Sequence, residues 1–319
     1  MISINRRLKA IHLNCRIRLV EKRVWQYAFE FVDVRRERVI GDIGGLSAGQ
    51  KAIVHLVLEA YGRGDLKGGV IVIDEPEIHL HYQLQHEYLQ VIFELNQTQK
   101  SQYILVTHSE ALISSGTISS VRRLALSDAG NTMVFSPELT ADEKTLVRIL
   151  DNTRSTYAFF SRKVVLVEGE TDRYFLRAII QYYFKDFEQD ISVLHIGGKG
   201  EFAKWRSLFQ SFGLKVYSIA DFDFVKDLHF PTERSAALQA EEQINAFKSR
   251  NPEWKAKIHQ EAIRSNFILM HGNLESYLGV RKDLAVVIKW CRHNLRTFME
   301  DTSSVKSTEW RMIVRSLVT

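Results

Sequence analysis

An α/β protein with two successive parallel-sheet regions is what this sequence of 319 residues predicts. Continuous apolar runs stop abruptly at polar residues, at Val70 to Ile73 before Asp74 and Glu75, and at Tyr103 to Val106 before Thr107 and His108. Such runs belong to strands buried on both faces of a parallel sheet. Further along, "KVVLVEG", "ISVLHIGG" and "LKVYSIADFD" alternate with the helical stretches "TDRYFLRAIIQYYF" and "GEFAKWRSLFQSF". That βαβαβ order implies parallel strands joined by right-handed crossovers. A composition of 45% hydrophobic and 25% charged residues suits a soluble chain with cores for two domains and argues against disorder.

The first strand, "VWQYAFEFVDV", alternates Tyr27, Phe29 and Phe31 with Ala28 and Glu30, the mark of a half-buried strand, and the charged turn "RRER" ends it. A helix opens at Ser47, a suitable N-cap, and its Ile53, Leu56, Val57 and Ala60 recur at the spacing of a buried face. The two apolar strands then place Asp74 and His108 at carboxyl ends, where α/β sheets bind ligands. "LSDAGNTMVFSPELTADEK" reads as a polar connection, with a helical stretch from about Thr145 to Phe160 after it. Beyond the βαβαβ unit, a polar, helix-prone insertion from about Pro231 to Arg264 precedes the strand-like "NFILMHG". The last helix, about Lys282 to Met299, gathers Leu284, Val287, Ile288, Cys291, Leu295 and Phe298 on one side. Lys282, Lys289, Arg292 and Arg296 make the other side a basic face, either solvated or set against DNA. The expected boundaries are a first α/β part over 1–125, a linker and helix over 126–160, a second α/β domain over 161–280 with its insertion at about 231–264, and a helical segment over 281–319.

The net charge of +5 leaves room for a polyanionic partner without requiring one. Cys15 and Cys291 lie far apart and form no CxxC, so neither a zinc ribbon nor a disulfide framework is expected, and a reducing cytoplasm fits. Basic residues interrupt the N-terminus, and nowhere do ~18 apolar residues run together, so neither a secretory signal nor a membrane span is expected.

Three short motifs gain weight from their order. "LSAGQ" at 46–50, the apolar run ending in Asp74-Glu75, and "ILVTHS" with His108 follow one another as signature, Walker B and switch histidine do in ABC-type ATPases. The region resembles the C-terminal half of such an ATPase, and "DEPEIHLH" resembles the branch related to SMC and recombination-repair ATPases, with Tyr82 where those sequences often carry proline. A carboxylate such as Asp74 at a strand end suits Mg²⁺ held through its water shell, and Glu75 suits a residue that orients or deprotonates the attacking water. His108 is placed to hydrogen-bond a γ-phosphate. The resemblance further implies that Ser47, Gly49 and Gln50 meet ATP bound to an opposite subunit, where a helix N-terminus adds partial positive charge. No GxxxxGK[ST] occurs in residues 1–319; "GGKGEF" at 197–202 has only part of its look. The phosphate-binding half of the ATP site is therefore expected upstream of Met1, as in an N-terminally truncated protein, or on another chain.

Acids mark the second region. Glu168 ends one buried strand, Asp172 follows in the first turn of a helix, and Asp221 and Asp223, pointing to one side, end another strand. These acids either cap strand ends in solvent or converge on a site whose repulsion only a divalent cation, Mg²⁺ or Mn²⁺, relieves. The pattern resembles the TOPRIM domain of topoisomerases, primases, recombination factors and OLD-family nucleases. That resemblance implies a general acid/base or ligand role for Glu168 and metal ligation by Asp221 and Asp223, with Asp172 matching the ExxxD arrangement of OLD nucleases and Glu275 in "GNLESYL" its further acid. Lys199 either approaches a scissile phosphate or belongs to a glycine-rich turn.

ATPase motifs followed by TOPRIM acids make the chain resemble an OLD-family ATPase-nuclease over about residues 25 to 280. The resemblance implies a fold of an ABC-type ATPase C-terminal part followed by a Rossmann-like parallel-sheet TOPRIM domain with helical additions. It also implies ATP-dependent or ATP-regulated, metal-dependent cutting of DNA, often in defence against phage, by a homo-oligomer or beside an ATPase partner that carries the Walker A lobe. Two readings of another kind stay open: a non-nucleolytic regulatory or assembly subunit that lends its signature face to an ATPase partner, and a gene remnant that binds no ATP.

Overall fold

The computed structural model describes residues 2–10, 15–62, 68–78, 80–127, 129–136, 142–152, 155–188, 190–225, 230, 238 and 241–318. The chain divides into two compact units, Met1–Ser114 and Ser115–Thr319.

In the first unit, helix α1 (Ile2–Ala10) precedes an antiparallel meander of β1 (Cys15–Arg23), β2 (Gln26–Asp33) and β3 (Arg38–Gly41). Asn5 of α1 acts as a surrogate strand for β1, because its side chain both donates to the Ile17 carbonyl and accepts from the Ile17 N–H, each at 2.7 Å. Helices α2 (Ala48–Gly62) and α3 (Tyr82–Gln99) accompany the parallel pair β4 (Val70–Asp74) and β5 (Gln102–Val106). Ile53, Val54, Val57, Val91 and Leu95 bury against Ile73, Tyr103 and Leu105. The side chain of Ala60 lies outside the described residues.

Two expectations need correction here. β4 and β5 are covered on one face only: Val70 and Val72 are 61% and 62% exposed, and Ile104 and Val106 are exposed as well. Among the described residues these strands form a two-stranded sheet, and α2 and α3 supply apolar cover to the Ile73, Tyr103 and Leu105 side. In β2, Phe31 and Val32 are buried but Tyr27 and Phe29 are exposed, because the β1–β2 ribbon extends beyond the core that seats Cys15, Ile17 and Phe31.

The second unit contains an antiparallel hairpin, β6 (Arg123–Leu126) and β7 (Thr132–Phe135); β7 lies inside the stretch expected to be a polar connection, and β6 lies mostly before it. Arg123 fastens the hairpin by donating to the carbonyls of Phe159, Ser161 and Phe212, so the described residues of 126–160, expected as linker and helix, group with this unit, as do 115–125, expected in the first part. The short helix α4 (Glu143–Leu146) leads toward a tight helical turn at Ser155–Phe160. Then β8 (Lys163–Val167), α5 (Glu170–Tyr183), β9 (Ile191–His195), α6 (Phe202–Ser211) and β10 (Lys215–Ala220) follow as expected. Helices α7 (Glu241–Arg250) and α8 (Trp254–Ile263) occupy the described part of the expected insertion, whose residues 231–237 and 239–240 lie outside the described residues. β11 (Asn266–Ile268), α9 (Leu274–Leu278), α10 (Leu284–Glu300) and α11 (Val305–Val318) complete the unit.

All four strands of this sheet are parallel, in the order β11-β10-β8-β9. Val164 to Val167 are fully buried, as a strand covered on both faces should be. A core of Val165, Val167, Phe175, Ile179 and Ile219 continues into Val287, Cys291 and Leu295 of α10 and Trp310 and Val314 of α11. Helix α11 falls within the helical segment expected over 281–319, and α10 begins at Leu284 with Asp283 as its N-cap. Lys282 is thus outside the helix whose basic face it was expected to join.

Candidate functional site

The parallel register aligns Val167 with Ile219, so the residues after β8 and β10 emerge at one edge of the sheet. There the Asp221 N–H donates to Glu168 Oε1 at 3.2 Å. Asp172 caps α5, its Oδ2 accepting from the Gly169 N–H at 3.0 Å. The Thr171 hydroxyl, beside it, donates to Glu275 Oε1 at 3.2 Å. Glu275 sits in α9, whose N-cap Asn273 accepts from the Ser276 N–H at 2.9 Å. The segment before α9 is tied to the DxD turn, because the Phe222 N–H donates to the Gly272 carbonyl at 2.8 Å. Gly197 and Gly198, at φ values of 77° and 138°, make the turn into α6, and Lys199 after them pairs its ammonium with Asp223 Oδ2 at 3.0 Å. Glu168, Asp172, Asp221, Asp223, Glu275 and Lys199 thus lie along one edge.

Burial and mutual repulsion raise the pKa of three of these acids, Glu168, Asp172 and Asp221, above the ordinary carboxylate range. Asp221 is pushed up to about 9, first by burial and then by Asp172, Glu168 and Asp223. Glu168 rises to about 7 through burial and the Asp223 charge. Asp172 rises to about 6 through burial and Glu275. The charge of Lys282 opposes the rise at both Asp172 and Asp221, a placement the helical pattern hid. The oxygen-rich set suits a hard divalent cation, and Asp223 Oδ1 is buried without a hydrogen-bond partner, as an oxygen awaiting a ligand would be. Among the described residues, however, no three carboxylates stand close enough to share one cation as they are, with Lys199 on Asp223 and repulsion among the rest. Cation entry would therefore include a rearrangement of side chains. A cleft of about 580 Å³ in this unit is lined by Tyr157, Arg177, Gln181 and Ser192 among others and by none of these acids.

In the first unit, the turn before α2 is a built device. Asp42 accepts from the Gly44 N–H at 2.9 Å, and a Cβ at Gly45 would meet the Ile40 carbonyl oxygen at 2.7 Å, so only glycine fits there. Ser47 and Gln50 then cap α2 reciprocally: the Ser47 N–H donates to Gln50 Oε1 at 3.0 Å, and the Gln50 N–H to Ser47 Oγ at 3.3 Å. Ser47 is exposed and Gly49 buried. Asp74 and Glu75 are exposed at the end of β4, with Glu75 in the left-handed region at φ 48° while its N–H donates to the Val106 carbonyl at 2.8 Å. A non-glycine residue held there is costly and is a common feature of functional turns. Glu77, which the motif reading passed over, joins the two strand ends: its carboxylate accepts from the Thr107 hydroxyl and from the His108 N–H, both at 2.7 Å. Burial works to raise the Glu77 pKa, but those hydrogen bonds outweigh it and hold the pKa below its ordinary value. Its position two residues beyond "DE" was the available signal.

Each of the two regions resembles a known domain. Residues 10–113 match the model of an AAA ATPase domain, and residues 159–223 match that of the TOPRIM domain of overcoming-lysogenization-defect-like proteins. The chain is similar to the OLD-family ATPase-nucleases. It is 25% identical over 260 residues to an OLD nuclease of Thermus scotoductus, covering 76% of this chain and 46% of that protein. It is 24% identical over 222 residues to the Old nuclease of Escherichia phage P2, covering 64% of this chain and 37% of that protein. The chain thus spans less than half the length of these relatives. A solved structure from work on ATP-driven dimerisation and DNA-stimulated activation of SMC ATPases overlaps 48% of this chain and 92% of its own at a TM-score of 0.35 and 18% identity.

Proposed function

We propose that the second unit is a metal-dependent DNA endonuclease whose activity the ATPase-type unit regulates. The observation that carries this reading is the edge where Glu168, Asp172 and Asp221 share raised pKa values beside the orphaned Asp223 Oδ1. Asp172, Asp221, Asp223 and Glu275 would hold one or two Mg²⁺ or Mn²⁺ ions, which supply Lewis acidity and charge neutralisation for phosphodiester hydrolysis. Glu168, poised at about 7, exchanges a proton with the attacking water or the leaving oxygen. Lys199, paired with Asp223 Oδ2, would offer its ammonium to the scissile phosphate.

In the first unit, Asp74, Glu75 and His108 serve as Mg²⁺-site acid, water-orienting acid and γ-phosphate contact, and Ser47, Gly49 and Gln50 meet a nucleotide held by a phosphate loop on a second copy or an ATPase partner. Phage defence and a cytoplasmic setting accord with this reading; Cys15 and Cys291 are buried free thiols, and no described helix is long and apolar enough to cross a membrane. A non-nucleolytic assembly subunit is favoured instead by one observation, the Lys199–Asp223 pair that already offsets a site charge.

Plasmid nicking in Mn²⁺ tests the proposal. Glu168→Gln is expected to lower the nicking rate at least ~100-fold by losing general acid/base catalysis while Mn²⁺ binding by calorimetry persists. Nicking at the wild-type rate by that variant would remove the nuclease reading and leave the assembly role.

A further inference from the structure

Met270, in the segment between β11 and α9, has both of its backbone polar groups held by charged side chains from distant parts of the chain. Its N–H donates to Glu309 Oε1 at 2.9 Å, and its carbonyl accepts from Lys248 Nζ at 3.0 Å. Glu309 belongs to α11 and Lys248 to α7. Glu309 makes a second contact, accepting through Oε2 from the Tyr277 hydroxyl at 2.6 Å, and that same hydroxyl accepts from the His271 N–H at 3.1 Å. One turn earlier on α11, Lys306 donates to the Ser276 carbonyl at 2.6 Å. Lys248 is itself fixed between aromatic faces, 5.0 Å from the Phe222 ring centre and 4.6 Å from that of Trp254. Phe222 lies between Asp221 and Asp223.

Ordinary loops leave such backbone groups to water; here three charged side chains are spent on seven residues, 270–276, that include Glu275. From this we infer that Lys248, Glu309 and Lys306 form a clasp that positions Glu275 against Asp172 and the DxD turn. The inference rests on the reading of Glu275 as a cation ligand. Chemistry favours positioning over simple stability. A carboxylate shared by a backbone N–H and a tyrosine hydroxyl fixes direction as well as distance, and outer partners that orient metal ligands change metal affinity by about 10–100-fold when removed. The clasp also explains what the C-terminal helix contributes to a site to which it gives no ligand: its face toward the core packs Trp310 and Val314, while Lys306 and Glu309, three residues apart, reach the same segment.

The experiment uses the full chain and two measurements. In metal-free protein, Glu309→Ala is expected to speed hydrogen exchange of the 270–276 amides at least ~10-fold without the same change in β8 or β10. In calorimetric titration with Mn²⁺, the same variant is expected to weaken binding ~10-fold. Glu309→Gln, which keeps an acceptor for the Met270 N–H, should recover most of that affinity. Should Glu309→Ala fail to fold, Tyr277→Phe carries the same two measurements, with a smaller shift of ~3-fold expected from loss of one hydroxyl contact. Unchanged Mn²⁺ affinity in the folded variant, whatever its exchange, overturns the positioning role, as would a fall in the binding-competent fraction at unchanged affinity. Glu275→Ala runs beside them: if it leaves Mn²⁺ affinity unaltered, the reading of Glu275 fails and the clasp falls with it, whereas an effect of Glu275→Ala without one of Glu309→Ala overturns the clasp alone.

Discussion

Asp221 is a carboxylic acid held at about 9 by burial and by three neighbouring acids. Its folded pKa lies far above the ordinary carboxylate value of ~4, so between those limits the folded protein binds more protons than the unfolded chain. Stability contributed by the protonated group is complete below pH ~4 and is lost as pH rises toward 9. The metal-free protein is therefore expected to lose melting temperature from pH 6 to pH 9, and Asp221→Asn to flatten that fall. Melting curves across this range check the sign; a steeper fall in the variant would contradict it. Cation binding must displace the same protons, so affinity for Mn²⁺ should rise over the same window. Lys199 and Lys282 soften the repulsion without abolishing it: Lys199 lowers Glu168, and Lys282 lowers Asp172 and Asp221.

Helix α2 shows what an element adds to its residues. Ser47 and Gln50 cap its start reciprocally, and Gly45 lets the chain pass the Ile40 carbonyl, so the serine is presented at a helix N-terminus. The chain alone is expected to turn over no Mg-ATP above the background of Glu75→Gln, because no phosphate-loop motif occurs in its residues. Added to an ATPase that carries that loop, it should associate in an ATP-dependent way, and Ser47→Arg should abolish association by placing bulk and charge where a phosphate belongs. Sedimentation of the mixture with and without ATP checks this; association that ignores both ATP and Ser47→Arg would contradict it. Elements also mark what sequence could and could not reveal. The β8–α5–β9–α6–β10 alternation was legible because each apolar run matched full burial. The runs of β4 and β5 look the same, yet one face is exposed, since a local run does not encode how many elements cover it. Helix α11, inside the helical segment expected over 281–319, carries Trp310, Ile313, Val314 and Leu317 at helical spacing. Glu168, Asp221 and Asp223 stood out as acids after strands, whereas Lys248 and Glu309 lie 22 and 39 residues from the Met270 groups they hold. No spacing rule reaches that far.

Taken whole, the chain comprises an ATPase-type unit with two capped, hydrogen-bonded turns and a TOPRIM unit with a gathered acidic edge. The four-stranded sheet and the helices that pack on it assemble every acid of that edge within the second unit. Cutting should accordingly need a divalent cation but not ATP, with ATP acting as a regulator through the first unit. The direct measurement is nicking of supercoiled plasmid in Mn²⁺ without ATP, by wild type and by Asp221→Ala, alongside melting curves with and without Mn²⁺. Wild type should nick, Mn²⁺ should raise its melting temperature, and Asp221→Ala should lose at least ~100-fold in rate and most of the Mn²⁺ stabilisation while remaining folded, because it removes a cation ligand and relieves repulsion. An Asp221→Ala protein that nicks as fast as wild type, or a wild type whose melting temperature ignores Mn²⁺, would contradict a cation-dependent nuclease at this edge.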